Sequence, residues 1–204
     1  MEGIPRANRL VPLTVGLALL LGGVALWLGL GASAITQWSF GAACLLQMAP
    51  ALSLWARIRE GLGNSGLERE RLTLRIVSHL LRLLALGTAM ASISALLGER
   101  SPQVDGLSLG VSVVAAAGLG ALWLWKRPLR DLHPALALDV DRTRTLFELS
   151  ILSLTASLLG HWFPWGDASA GLVMAVGLFV EGRTLAKGTT LTAAACGGGC
   201  GGCG

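Results

Sequence analysis

Five ionisable residues crowd one edge of a long apolar stretch: Asp139, Asp141, Arg142, Arg144 and Glu148. Charged side chains are costly in hydrocarbon, so they pair or line a path for protons and ions. Glu148 sits deepest in the apolar run and is the strongest single candidate for a proton or cation path. Asp139, Asp141 and Arg142 stand beside it as further candidates. Ion pairing along one helix is the competing reading. Asp139 and Arg142, and Asp141 and Arg144, have the i,i+3 spacing, and Arg144 and Glu148 the i,i+4 spacing, of neighbours on a helix surface.

A second group is made of thiols. Cys196, Cys200 and Cys203 punctuate a glycine-rich tail. Thiolates suit soft ions such as Zn²⁺ or Cu⁺. Three of them leave zinc one ligand short of its usual four. A tail without a site, or acylation beside a membrane, explains the same residues. A third group, His161 and Asp167, forms a candidate external site. Asp167 also stands where a helix begins, and there an Asp caps the helix and suits its positive end. His79 and Arg82 read as interfacial side chains that snorkel.

The elements that must position these residues are membrane spans. From Leu10 to Ala56 the chain carries no Asp, Glu, Lys, Arg or His. Such a run suits two spans of about 20 residues each joined by a tight turn. Charged residues make up only 14% of the 204 residues, and mean hydropathy is +0.65. Apolar blocks fall at 10–30, 36–56, 76–97, 107–125, 143–162 and 167–186. The expected fold is therefore an all-α integral membrane protein of six transmembrane helices over residues 10–187. Residues 1–9 precede it, and a Gly/Cys-rich tail, 188–204, follows. Arg6, Arg9 and Ala32-Ser33-Ala34 have the marks of a signal peptide. The apolar run is too long for one, so a retained first helix is expected.

Basic residues give the orientation. Arg6, Arg9, the arginines from Arg57 to Arg75, the group from Lys126 to Arg144, and Arg183 with Lys187 fall on one side of a six-span topology. The other side holds Arg100. The positive-inside rule then puts both termini in the cytoplasm, with the plasma (inner) membrane as the expected location. The net charge of +4 is explained this way, without nucleic acid as a partner. No nucleotide-binding loop, Ser/His/Asp pattern or HExxH helix occurs, so no enzyme activity and no required cofactor are expected.

Three stretches resemble the short, transmembrane-only branch of the cation diffusion facilitator family. They are Ser39-Phe40-Gly41 through Ala43, Gln47 and Ala49 to Arg57-Ile58-Arg59; Pro134-Ala135-Leu136 with Asp139, Thr143 and Arg144; and Gly160-His161-Trp162, Trp165-Gly166-Asp167 and Val180-Glu181-Gly182-Arg183. The resemblance covers about Leu10 to Lys187. It implies a six-helix, dimeric exchanger of divalent metal ions, zinc among them, for protons by alternating access. It also implies a transport site of two pairs of ligands, four residues apart on spans two and five. In this chain those slots are Ala43 and Gln47, and Arg142 and Leu146. None is an acidic or His ligand. Two readings follow: a divalent cation exchanger, or a degenerate homologue that acts as a membrane scaffold or as the partner subunit of a related transporter.

Overall fold

A computed structural model describes residues 3–59, 67–98 and 106–197, with the side chains of 3–7, 161 and 188–197 excluded. Among the described residues six helices make up the fold: α1 (Gly3–Gly31), α2 (Ile35–Arg59), α3 (Leu67–Leu97), α4 (Gly106–Lys126), α5 (Pro134–Trp162) and α6 (Gly166–Gly197). One 3₁₀ turn, Arg127–Leu129, joins α4 to α5. The chain is an all-α membrane protein. Five helices, α1 to α4 and α6, are long and apolar enough to cross a bilayer. The sixth, α5, falls short because its first half carries the charged cluster. It packs against α4, α6 and α2, which shelter its buried polar residues.

Exposure follows the rule for lipid rather than water. Large apolar side chains point outward, as Leu72, Ile76, Leu83, Leu86, Met90 and Leu97 do along α3. Polar groups turn inward and find partners there. Ser39 and Thr88 hydroxyls meet at 2.9 Å between α2 and α3. Ser108 on α4 donates to the Gln37 side chain on α2. In hydrocarbon no water serves these groups, so they must be satisfied within the bundle.

Small residues bring α1 and α2 together. A Cβ on Gly41 would lie 2.6 Å from the carbonyl oxygen of Gly22. Only glycine permits that approach. Behind this contact, Ala25, Phe40, Ala43, Leu119, Leu146 and Met174 belong to the central core. The α1–α2 turn is closed by Ser33 at φ 55 and by Ala34 N–H donating to Gly29 O at 2.9 Å.

Helix ends gather in two sets. At the basic end, Trp55 Nε1 donates to Asn8 Oδ1 at 3.1 Å. Arg57 Nη1 meets Glu70 Oε2 at 2.5 Å, with both side chains buried. A second small core, with Val11, Leu54, Ile58 and Leu136, seals this end. At the opposite end the Asp167 carboxylate of α6 accepts from Ile35 N–H at 2.6 Å, Thr36 N–H at 3.2 Å and the Thr36 hydroxyl at 2.5 Å. The expected capping role of Asp167 is thus played on a different helix. It closes the start of α2, whose first N–H groups have no intrahelical partner. With its oxygens so occupied, this carboxylate is a structural clasp.

Candidate functional site

The basic half of the bundle contains a narrow cleft between α1, α2 and α5. Thr14, Gln47, Asp139, Arg142, Thr143 and Leu146 are among its lining residues. Its interior has room for about one water-sized body. Local sequence explains why a cleft opens here. Pro50 lies within α2 and has no N–H to give the carbonyl of Leu46. That interruption falls beside Gln47. On the opposite wall, α5 begins at Pro134, with His133 as its cap: Ala135 N–H donates to His133 Nδ1 at 3.1 Å. Burial first, and then the charge of Arg57, hold this imidazole below its ordinary pKa, with Glu70 acting the other way.

Charged groups around the cleft are sorted by α4 and α6. Lys126, fully buried at the end of α4, reaches Asp139 Oδ2 at 2.6 Å and Thr143 Oγ1 at 3.2 Å. Thr143 in turn donates to Asp139 O at 2.8 Å. Glu181 of α6 accepts from Thr145 at 3.0 Å and from Thr184 at 3.4 Å. Arg142 is left over. It is 5% exposed, its Nε has no partner, and no described side chain forms a hydrogen bond or ion pair with it. Gln47 is 4% exposed, and neither its amide nitrogen nor its oxygen has a partner.

The sequence-derived candidates therefore divide. Gln47, Asp139 and Arg142 meet in the cleft, and Leu146 lines it with them. Asp141 lies outside and pairs with Arg130 at 3.2 Å, both half-exposed. Glu148 also faces outward and pairs with Arg144 at 2.8 Å, the two side chains 54% and 57% exposed. Two expected pairings are corrected. Asp139 bonds Lys126 rather than Arg142, because a buried ammonium at the end of α4 lies opposite it. Asp141 bonds Arg130 rather than Arg144, because the 3₁₀ turn brings Arg130 alongside. The Arg144–Glu148 pair forms as its spacing predicts.

Asp167 is committed to α2. The side chains of His161 and Cys196, and all of Cys200 and Cys203, lie outside the described residues. Cys44 is a free, buried thiol in the core. Among the described residues, no group of three or more His, Cys, Asp or Glu is placed to hold a metal ion. Lys126 and Glu181 were missed as site residues. The position of Lys126 at the exact edge of an apolar block was the available signal; the partner it would meet was not.

Chemically, the cleft presents donors. A guanidinium carries five N–H groups and no acceptor, and the Gln47 amide adds two more N–H groups beside one carbonyl. Thr14 and Thr143 have spent their hydroxyl protons on Leu10 O and Asp139 O. Among the described residues, Asp139 is the one carboxylate lining the cleft, and it is paired with Lys126. No family model matches the chain, and no curated protein matches it.

Proposed function

We propose that this protein is a helical membrane scaffold, built like the body of a cation-efflux transporter, that joins another membrane-spanning chain and does not itself carry divalent metal. One observation carries the reading. Gln47 of α2 and Arg142 and Leu146 of α5 line the same cleft, where an exchanger of the resembled family would need facing pairs of ligands. A buried guanidinium repels a divalent cation, and Leu146 has no donor atom. The basic end would face the cytoplasm by the positive-inside rule.

The partner is suggested by α5. Its exposed positions include Arg144, Glu148, Ile151, Thr155, Leu158 and Trp162, which follow the alternating four- and three-residue steps of a helix–helix seam. Glu148 lies nine residues beyond Asp139 (148 − 139), roughly 14 Å further along the helix. An ion pair bare to lipid at that depth is unfavourable. Docking of a second copy through this stripe would cover it, because the pair offers both charges to its twin.

A divalent metal/proton exchanger remains the second reading, favoured by Asp139 lining the cleft. Proton-driven flux decides between them. Liposomes containing the protein and a metal-sensitive dye should take up no zinc or manganese under a pH gradient. Flux above that of empty vesicles supports the exchanger. The tail thiols Cys196, Cys200 and Cys203 are a separate proposal for a soft ion, tested by the bound-metal count below.

A further inference from the structure

We infer that the α3–α6 seam at the basic end of the bundle binds one anionic membrane lipid, its phosphate held by Arg82 and Arg75 of α3 and Arg183 of α6. Neither reading of the cleft is needed for it.

Arg82 lies within the membrane-spanning helix α3, half-buried against α6. Glycine at 182 makes room for it: a Cβ there would lie 2.9 Å from Arg82 Cγ and 2.9 Å from Ser78 O. Arg82 Nη2 donates to Gly182 O at 3.4 Å, a long bond, and Arg82 Nε has no partner. The guanidinium is thus seated at the seam with most of its five donors unspent. Arg75, two turns earlier on the same face of α3, and Arg183, next to Gly182, are both exposed. None of the three forms an ion pair among the described residues.

The neighbouring carboxylates serve other groups. Glu181 turns to Thr145 of α5 and acts on Arg142. Glu70 is bonded to Arg57. Glu68 is exposed and stands 14 residues (82 − 68) before Arg82, roughly 20 Å away along the helix. A guanidinium inside a span, with two more beside the same seam, calls for an anion.

Chemistry and shape make that anion a lipid. Guanidinium groups match phosphate oxygens through paired N–H bonds. Helical side chains lean toward the start of their helix, which for α3 is the basic end, so Arg82 reaches back toward the headgroup layer. One turn further into the bilayer stand Leu86, four residues after Arg82, and Phe179, four before Arg183. They are 58% and 41% exposed. A cationic seat continued by an apolar track fits a phosphate with an acyl chain attached; free phosphate leaves the track empty. A zwitterionic lipid brings its own ammonium to its phosphate, so the seat selects a lipid of net negative charge.

The test is the unfolding of the purified full-length protein in uncharged detergent micelles, titrated with phosphatidylglycerol, phosphatidylcholine or inorganic phosphate at equal ionic strength. The unfolding temperature should rise with phosphatidylglycerol and saturate, and stay level with the other two. Arg82→Gln should abolish the rise. Should that variant not fold, Arg183→Gln serves: it removes one charge-assisted contact at an exposed position and should raise the half-saturating lipid concentration about tenfold. Arg127→Gln, at the same end of the bundle but off the seam, should titrate like the unaltered chain. An equal rise with phosphatidylcholine or with inorganic phosphate would overturn the inference. So would a response that Arg127→Gln weakens as much as the seam substitutions do, since that is diffuse attraction and not a site.

Discussion

Lys126 Nζ stands 2.6 Å from Asp139 Oδ2, and that bond turns the carboxylate away from Arg142, one turn along the same helix, whose Nε has no hydrogen-bond partner among the described residues. The ammonium and carboxylate are both buried, so each depends on the other. Removing one partner of a buried pair costs about 3–5 kcal/mol, because the other charge is stranded. Lys126→Met should therefore destabilise the protein by about that amount in a denaturant titration. Asp139 would also be released toward Arg142. Lys126→Met combined with Asp139→Asn should recover much of the loss. Additive losses in the double variant would argue against the pairing.

Asp167 and the start of α2 make a second prediction. Its carboxylate accepts from two backbone N–H groups and one hydroxyl. Losing a cap costs about 0.5–2 kcal/mol, so Asp167→Ala should lower stability by about that much. Asp167→Asn keeps one acceptor oxygen and should lose less. Neither variant should change metal binding. A drop in bound metal would return Asp167 to the external site suggested by its closeness in sequence to His161.

His133 predicts a pH dependence. Its Nδ1 accepts the Ala135 N–H, which requires that nitrogen unprotonated. Its folded pKa lies below the ordinary value, so the unfolded chain binds the proton first. Stability is then fully present above the ordinary histidine value. It falls as pH drops through that value and levels off once the lowered folded value is passed. Unfolding midpoints measured across this range should show the step, and His133→Asn, which keeps a capping acceptor without titrating, should remove it. A step unaltered in that variant would assign the titration to another group.

The outward stripe of α5 is tested by cross-linking. In a chain with Cys196, Cys200 and Cys203 replaced by Ser, Thr155→Cys or Ile151→Cys should form a disulfide dimer in membranes under oxidation. Leu83→Cys, on the lipid-facing side of α3, should not. Equal cross-linking at both faces would mean random collision, and none at α5 would remove it as the seam.

The spans were legible because lipid imposes a coarse rule. A run such as Leu10 to Ala56 without one charge admits little besides membrane helices, and helices over Gly3–Gly31 and Ile35–Arg59 follow. Local pairing was legible where it stays within one helix, as between Arg144 and Glu148. Contacts between helices were not. Nothing in the spacing of Lys126 and Asp139 says that a chain reversal will bury them together, and nothing near Asp167 points to Ile35, 132 residues away. The place of Glu148 along the helix makes it deep. Its direction around the helix, outward, depends on which faces α2, α4 and α6 cover.

On the proposed reading, Gln47 and Arg142 fill the cleft between α2 and α5 that a divalent cation would need. The decisive measurement is a count of zinc retained by the purified protein, in the intact chain and in one with Cys196, Cys200 and Cys203 changed to Ser. The Ser variant should bind no zinc, so any zinc on the intact chain belongs to the tail. One zinc per Ser-variant chain, lost on Gln47→Leu or Asp139→Asn, would contradict it.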